Sequence, residues 1–211
     1  MLHKDPRIIS RETFLLIQQL QKLRELEGFF LVGGTALALQ LGHRNSIDLD
    51  FFTQNKFIGS SLVEVLQKDF SVQADLAIQN TLLSHIDAIK VDFISHPHPL
   101  VRDPISEEGI SFLSKEDIAA MKLNAIIQSG QRLKDFIDIY FLLEHFSVID
   151  MLLFFAVKYD YINPVMALKA LTFFDDIDES IDPPKLLRPL SAEQVRHRIE
   201  SAVLHPIKIF R

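Results

Sequence analysis

The chain has 211 residues, 48% of them apolar and 24% charged, the balance of one folded domain of ordinary size or one with a small appendage. It contains no cysteine, which excludes disulfides, thiol nucleophiles and thiolate-bound zinc or iron. A formal net charge of -6 excludes a general polyanion binder and leaves room only for a local basic face. The longest apolar run, Met151 to Val157, is far short of the roughly 20 residues that span a bilayer. The first residues, Met1 to Pro6, carry no apolar signal core, so the expected location is the cytoplasm, with no membrane contact.

In chain order, Ser10 caps a predicted helix over about Arg11–Leu26, with apolar positions Leu16, Leu20 and Leu23 at helical spacing and Gly28 as its stop. Phe29–Val32 is a continuous apolar run of strand length. Gly33-Gly34 breaks it, and Thr35–Leu41 is a short, strong helix former ended by Gly42; if the turn is an ordinary one, Thr35 is its cap. Ile47–Phe52 reads as a strand and Ser60–Gln67 as a helix. Val72–Ile78, Thr81–His85 and Ala88–Ser95 follow as strands with short connections through Asn80 and Asp87, which suits antiparallel pairing. His96 to Pro104 is a loop, and Ile110–Leu113 is a last short strand.

From Ser114 the pattern is helical. Ser114 with Asp117 resembles a capping box, and that helix runs to about Gln128. Arg132–Phe146 is the next helix, Asp150 caps a third, and Asn163-Pro164 opens a fourth. Asp175–Pro189, rich in acids and prolines, is a linker, and Ser191 with Gln194 caps a last helix. A mixed α/β part, about 1–113, thus precedes a helical part, 114–211. The expected class is α+β: a mixed or antiparallel sheet flanked by helices, followed by a helical C-terminal half.

The chemistry is concentrated between Gly33 and Phe52. In a strand, alternate side chains share a face. Ile47, Leu49 and Phe51 are then expected on the core side, with Asp48 and Asp50 on the other. If the extended backbone begins earlier, Arg44 and Ser46 join the two carboxylates in line. A lone Asp-x-Asp is usually a solvated face, but these acids interrupt an apolar strand just after a Gly-Gly-Thr turn. Paired carboxylates offer the oxygen ligands that a hard cation such as Mg²⁺ requires. Asp92, inside the apolar Val91-Asp92-Phe93, is by itself as readily an acid at a sheet edge; beside Asp48 and Asp50 it is expected as a third metal ligand or a general base. Gly33-Gly34-Thr35 lets backbone approach a ligand, and helix N-terminal N–H groups favour anions. His85, His96 and His98 lack helical spacing and a cysteine neighbour, which argues against zinc.

The order strand, Gly-Gly, helix, Asp-x-Asp strand, Asp strand resembles the nucleotidyltransferase superfamily with the DNA polymerase β-like fold. More narrowly, Gly33-Gly34-Thr35-Ala36-Leu37 with Arg44-x-Ser46-x-Asp48-x-Asp50 resembles the AbiEii family of nucleotidyltransferase-like toxins. Met121–Ala125 and Arg132–Tyr140 resemble that family's later Lys and Arg-x-Lys-Asp motifs. The resemblance covers about residues 29–145. It implies Mg²⁺-dependent transfer of a nucleoside monophosphate from a nucleoside triphosphate to an acceptor hydroxyl, which in some relatives is an RNA 3′ end. It also implies a cognate antitoxin. By position, Asp48, Asp50 and Asp92 would hold the metal. Gly33, Gly34, Thr35, Arg44 and Ser46 would bind the nucleotide. Lys122 would neutralise phosphate charge, and Asp135 would be a late acid in the same cleft, completed by the helical half. Rival readings are a small-molecule acceptor and a partner-binding module without turnover.

Lys122 sits between Met121 and Leu123, so it is expected to carry its ammonium to a cleft or to the surface. Its loss should then barely move the melting temperature. The alternative for Asp135 and Asp138, three apart on a helix face, is structural pairing with Arg132 and Lys134.

Overall fold

In a computed structural model of the chain, which describes residues 1–181, 183 and 185–210, seven strands form one mixed sheet among the described residues. In chain order the elements are α1 (Arg11–Leu20), β1 (Phe30–Val32), α2 (Gly33–Leu41), β2 (Leu49–Thr53), α3 (Gly59–Leu66), β3 (Val72–Ile78), β4 (Thr81–Ile86), β5 (Ile89–Ser95), β6 (Ile105–Glu107) and β7 (Ile110–Phe112). Five helices follow: α4 (Lys115–Gln128), α5 (Leu133–Leu142), α6 (Val148–Lys158), α7 (Pro164–Leu171) and α8 (Ala192–Leu204). The class is α+β, as the residue pattern predicts.

The sheet order is β3-β4-β5-β2-β1-β7-β6. β3, β4 and β5 form an antiparallel meander, as the short connections through Asn80 and Asp87 imply. Both connecting residues take positive φ, a conformation that Asn and Asp tolerate better than most. β2 pairs antiparallel with β1 and parallel with β5. The parallel pairing is possible because α3, β3 and β4 supply a long crossover. β6 was not expected. Its three residues, Ile105–Glu107, pair antiparallel with β7 across a two-residue turn at Glu108-Gly109, both at positive φ.

The chain divides into two compact units, residues 1–98 with 104–113, and residues 99–103 with 114–211. In the first, Leu31, Val32, Leu49, Phe51, Val91 and Phe93 are buried on the central strands, and Phe51 stacks on Phe93 at 5.4 Å. The predicted first helix is shorter than expected. It stops at Leu20 and continues as a 3₁₀ turn over Arg24–Leu26. In the second unit α4 packs against α5, α6 and α7. Its local signals were legible. Ser191 and Gln194 form a complete capping box, and Asn163 caps α7 ahead of Pro164. For α6 the cap is Ser147, with Asp150 completing the box at the third helical position rather than capping itself. Segment 99–103 is tied to this unit by Asp117. That carboxylate accepts from the amides of Val101 and Arg102 and pairs with buried Lys158 at 2.7 Å. No helix among the described residues is long and apolar enough to cross a membrane.

Candidate active site

β1 passes into α2 without a loop: the strand ends at Val32 and the helix begins at Gly33. Gly33 makes this possible with φ +67°, a backbone that L side chains rarely adopt. A Cβ there would also lie 2.7 Å from Asp50 Oδ2, so the Asp50 carboxylate rests directly over the start of α2. The helix cap is Val32, whose side chain makes no cap hydrogen bond. A helix start is a region of partial positive charge lined by backbone N–H donors.

Gly34 is needed for space rather than for φ. A Cβ would come within 2.3 Å of Arg44 Nη2 and 3.2 Å of Ser46 Oγ. Arg44 is only 2% exposed, and its Nη1 donates to the Asn45 carbonyl at 2.9 Å. It packs against the Gly-Gly turn, buried rather than on an open edge. Ser46 is also buried, with its hydroxyl 2.8 Å from Thr35 Oγ1. Thr35 donates to the Asp48 carbonyl, so both hydroxyls staple the turn to the loop that carries Asp48.

The strand β2 begins at Leu49, two residues later than expected. Ile47 is therefore outside it and 60% exposed, contrary to its expected place in the core. Leu49 and Phe51 do face the core, and Asp50 faces the other side. In the parallel register Asp50 lies opposite Asp92, and on the other edge opposite Val32. Side chains opposite each other in register share a face, so two carboxylates far apart in sequence become neighbours. Asp92 is buried, and its Oδ1 has no hydrogen-bond partner. A buried carboxylate oxygen without a donor is costly, and it marks a place for a ligand or ion.

Lys90 completes this face and was not singled out by the sequence reading. It stands two residues before Asp92 on β5, with Nζ 3.5 Å from Asp92 Oδ2. Partial burial works to lower its pKa. The charges of Asp92, Asp48 and Asp50 together outweigh that, so the net shift is upward. The i, i+2 spacing of Lys90 and Asp92 was the available signal. Among the described residues no three His, Asp or Glu side chains converge closely enough to hold an ion as they stand. The oxygen-only donor set and the open Asp92 Oδ1 nonetheless suit a hard divalent cation beside Asp50.

The later motif residues meet one another in the second unit. Lys122 is 6% exposed, and its Nζ lies 2.7 Å from Asp135 Oδ1 and 2.8 Å from Asp138 Oδ2. Arg132 reaches Asp135 more loosely, at 3.7 Å. The expected surface-tipped Lys122 is thus corrected. α4 turns this residue toward α5, and two buried carboxylates hold its ammonium.

The Gly33 geometry makes a direct prediction. Gly33→Ala should cost about 1 kcal/mol or more from the positive φ alone, and the Cβ should displace Asp50. Denaturant titration and a turnover assay should both register the change. Gly130→Ala, at another positive-φ glycine whose Cβ would meet only the Ile126 carbonyl at 3.4 Å, should lower stability alone.

A model of the nucleotidyl transferase AbiEii toxin family, of the type IV toxin–antitoxin systems, matches residues 15–203. An uncharacterised protein of Aquifex aeolicus (strain VF5) is 32% identical over 181 residues, covering 83% of this chain and 87% of that one. Among solved structures, JHP933 from Helicobacter pylori superposes with a TM-score of 0.52 at 18% identity, covering 92% of this chain and 88% of that one. The MenT4 nucleotidyltransferase toxin from Mycobacterium tuberculosis H37Rv gives a TM-score of 0.52 at 18% identity, with 92% and 85% covered. At such identity the two structures establish the shared fold. With a family match over most of its length and an α+β sheet of that fold, the chain belongs to the AbiEii family of nucleotidyltransferase toxins and is an enzyme of the nucleotidyltransferase class.

Proposed function

We propose that the chain transfers a nucleoside monophosphate from a nucleoside triphosphate to an acceptor hydroxyl, with Mg²⁺ held by Asp50 and Asp92 and supported by Asp48. The observation that carries this reading is the register pairing of Asp50 with Asp92 beside the start of α2, with Asp92 Oδ1 left without a donor. The acceptor oxygen attacks the α-phosphate, the bond to the β-phosphate breaks, and pyrophosphate leaves. When bound, the divalent ion supplies charge neutralisation and Lewis acidity. The backbone N–H groups of Gly33 and Gly34, at the start of α2, orient the triphosphate. Arg44, Ser46 and Thr35 act on the nucleotide by fixing that turn. Lys122 and Asp135 hold α4 against α5.

RNA is the proposed acceptor, and the cytoplasm the place where triphosphates and RNA meet. A cognate antitoxin is the proposed partner, in keeping with the type IV family description. The test is incubation with each labelled nucleoside triphosphate, Mg²⁺ and total RNA. Label on RNA with pyrophosphate release is the expected result. Pyrophosphate without labelled RNA would redirect the acceptor to a small molecule. Neither label nor pyrophosphate would leave a partner-binding module.

A further inference from the structure

Lys90 places an ammonium at a face that also carries the carboxylates of Asp50 and Asp92. Its Nζ stands 3.5 Å from Asp92 Oδ2, longer than the 2.7–2.9 Å of a tight charge-assisted hydrogen bond. Its side chain is 49% exposed, so the ammonium can swing into solvent at small cost. The other oxygen of the same carboxylate, Oδ1, is buried and has no hydrogen-bond partner. The charges of Asp48 and Asp50 act on the same ammonium. In the β2–β5 register Leu49 lies opposite Val91, so Lys90 stands at the end of the ladder where the loop carrying Asp48 enters β2. A buried Lys sealed by several carboxylates would be a permanent structural pair, as Lys122 is. Lys90 is held by one long contact and is half in water.

We propose that Lys90 is a displaceable counter-cation: it neutralises the Asp48, Asp50 and Asp92 cluster while no metal is bound, and moves aside when a divalent ion enters. The inference rests on the metal reading above. Lys90 then has two effects of opposite sign. It stabilises the metal-free protein by relieving repulsion among three like charges on one face. It also competes with the ion for those carboxylates and weakens metal binding. Removing the ammonium while keeping the stem should therefore tighten metal binding and lower metal-free stability together. A residue of purely structural use would lower stability without tightening metal binding. A residue that binds triphosphate would leave binding of the metal alone unchanged.

The probe is Mn²⁺ alone, with no nucleotide, titrated into the full chain and followed by electron paramagnetic resonance at low ionic strength. Lys90→Met should bind Mn²⁺ about tenfold tighter than the unmodified protein, the scale of removing one nearby charge in a half-exposed site. Lys90→Arg, which keeps the charge, should bind nearly as the unmodified protein does. Without metal, Lys90→Met should melt lower, and Mn²⁺ should raise its melting temperature more. Equal or weaker Mn²⁺ binding by Lys90→Met, while the unmodified chain binds the ion, would overturn the counter-cation role and leave the metal reading standing. Failure of both proteins to bind Mn²⁺ would overturn both.

Discussion

Asp50→Asn and Asp92→Asn should each lower nucleotidyl transfer by at least about 10²-fold, the scale of losing one aligned electrostatic contact, while the protein stays folded. The two side chains leave the strands on the face opposite the core, where Leu49, Phe51, Val91 and Phe93 do the packing. Asn preserves the shape of Asp, so no cavity opens. Each substitution also removes one negative charge from a face that carries three, which lessens repulsion. For Asp92 the gain is clearest: its Oδ1 is buried without a donor, and its ion pair with Lys90 is long and half exposed. The melting temperature of Asp92→Asn without metal should equal or exceed that of the unmodified chain. Added Mg²⁺ should raise the melting temperature of the unmodified chain and lose that effect in both variants. Asp48→Asn should lower transfer in the same sense. Near-normal turnover in Asp50→Asn or Asp92→Asn would remove the metal assignment. A collapse of folding would show that the pair is structural.

Lys122→Ala should destabilise the chain by about 3–5 kcal/mol, the range for breaking a buried ion pair from one side. Two carboxylates, Asp135 and fully buried Asp138, would lose a cation 2.7 and 2.8 Å away. Asp135 retains Arg132 at 3.7 Å, too long to replace it. The charges left behind are close together in a region from which water is largely excluded, so their repulsion is poorly screened. Urea unfolding measures the loss. Combining Lys122→Met with Asp135→Asn and Asp138→Asn should recover most of it, because neutral partners leave no unpaired buried charge. An unchanged urea midpoint in Lys122→Ala would refute the buried pair. This outcome reverses the sequence-based expectation of an almost unmoved melting temperature.

The contrast between Lys122 and Lys90 shows where sequence patterns stop. Both are lysines among apolar neighbours, and local spacing gives each a helix or strand face. What distinguishes them is what packs across from that face. α5 closes over Lys122, while Lys90 is left half in solvent beside a single long contact.

Features set within a few residues could be read directly. The Ser191–Gln194 capping box, the Asn163-Pro164 helix start and the meander of β3, β4 and β5 depend on neighbours three or four positions away or on short turns. The strand–Gly-Gly–helix junction was legible for the same reason, since its positive φ at Gly33 is a local demand. Features set by distant pairing were not. The chain alone grouped Asp92 with Asp50 by chemistry and by resemblance, and the parallel register of β2 on β5 is what makes them neighbours in space. Arg44 and Ser46 looked like edge residues in line with the carboxylates, because alternation assumes an extended backbone. The strand starts only at Leu49, so both are buried against the Gly-Gly turn rather than on an exposed edge, and Ile47 turns out to water. Register, and the burial that follows from it, is decided by the packing of Phe51 on Phe93 and of whole strands on each other. That is a long-range energy, with no counterpart in the spacing of residues along the chain.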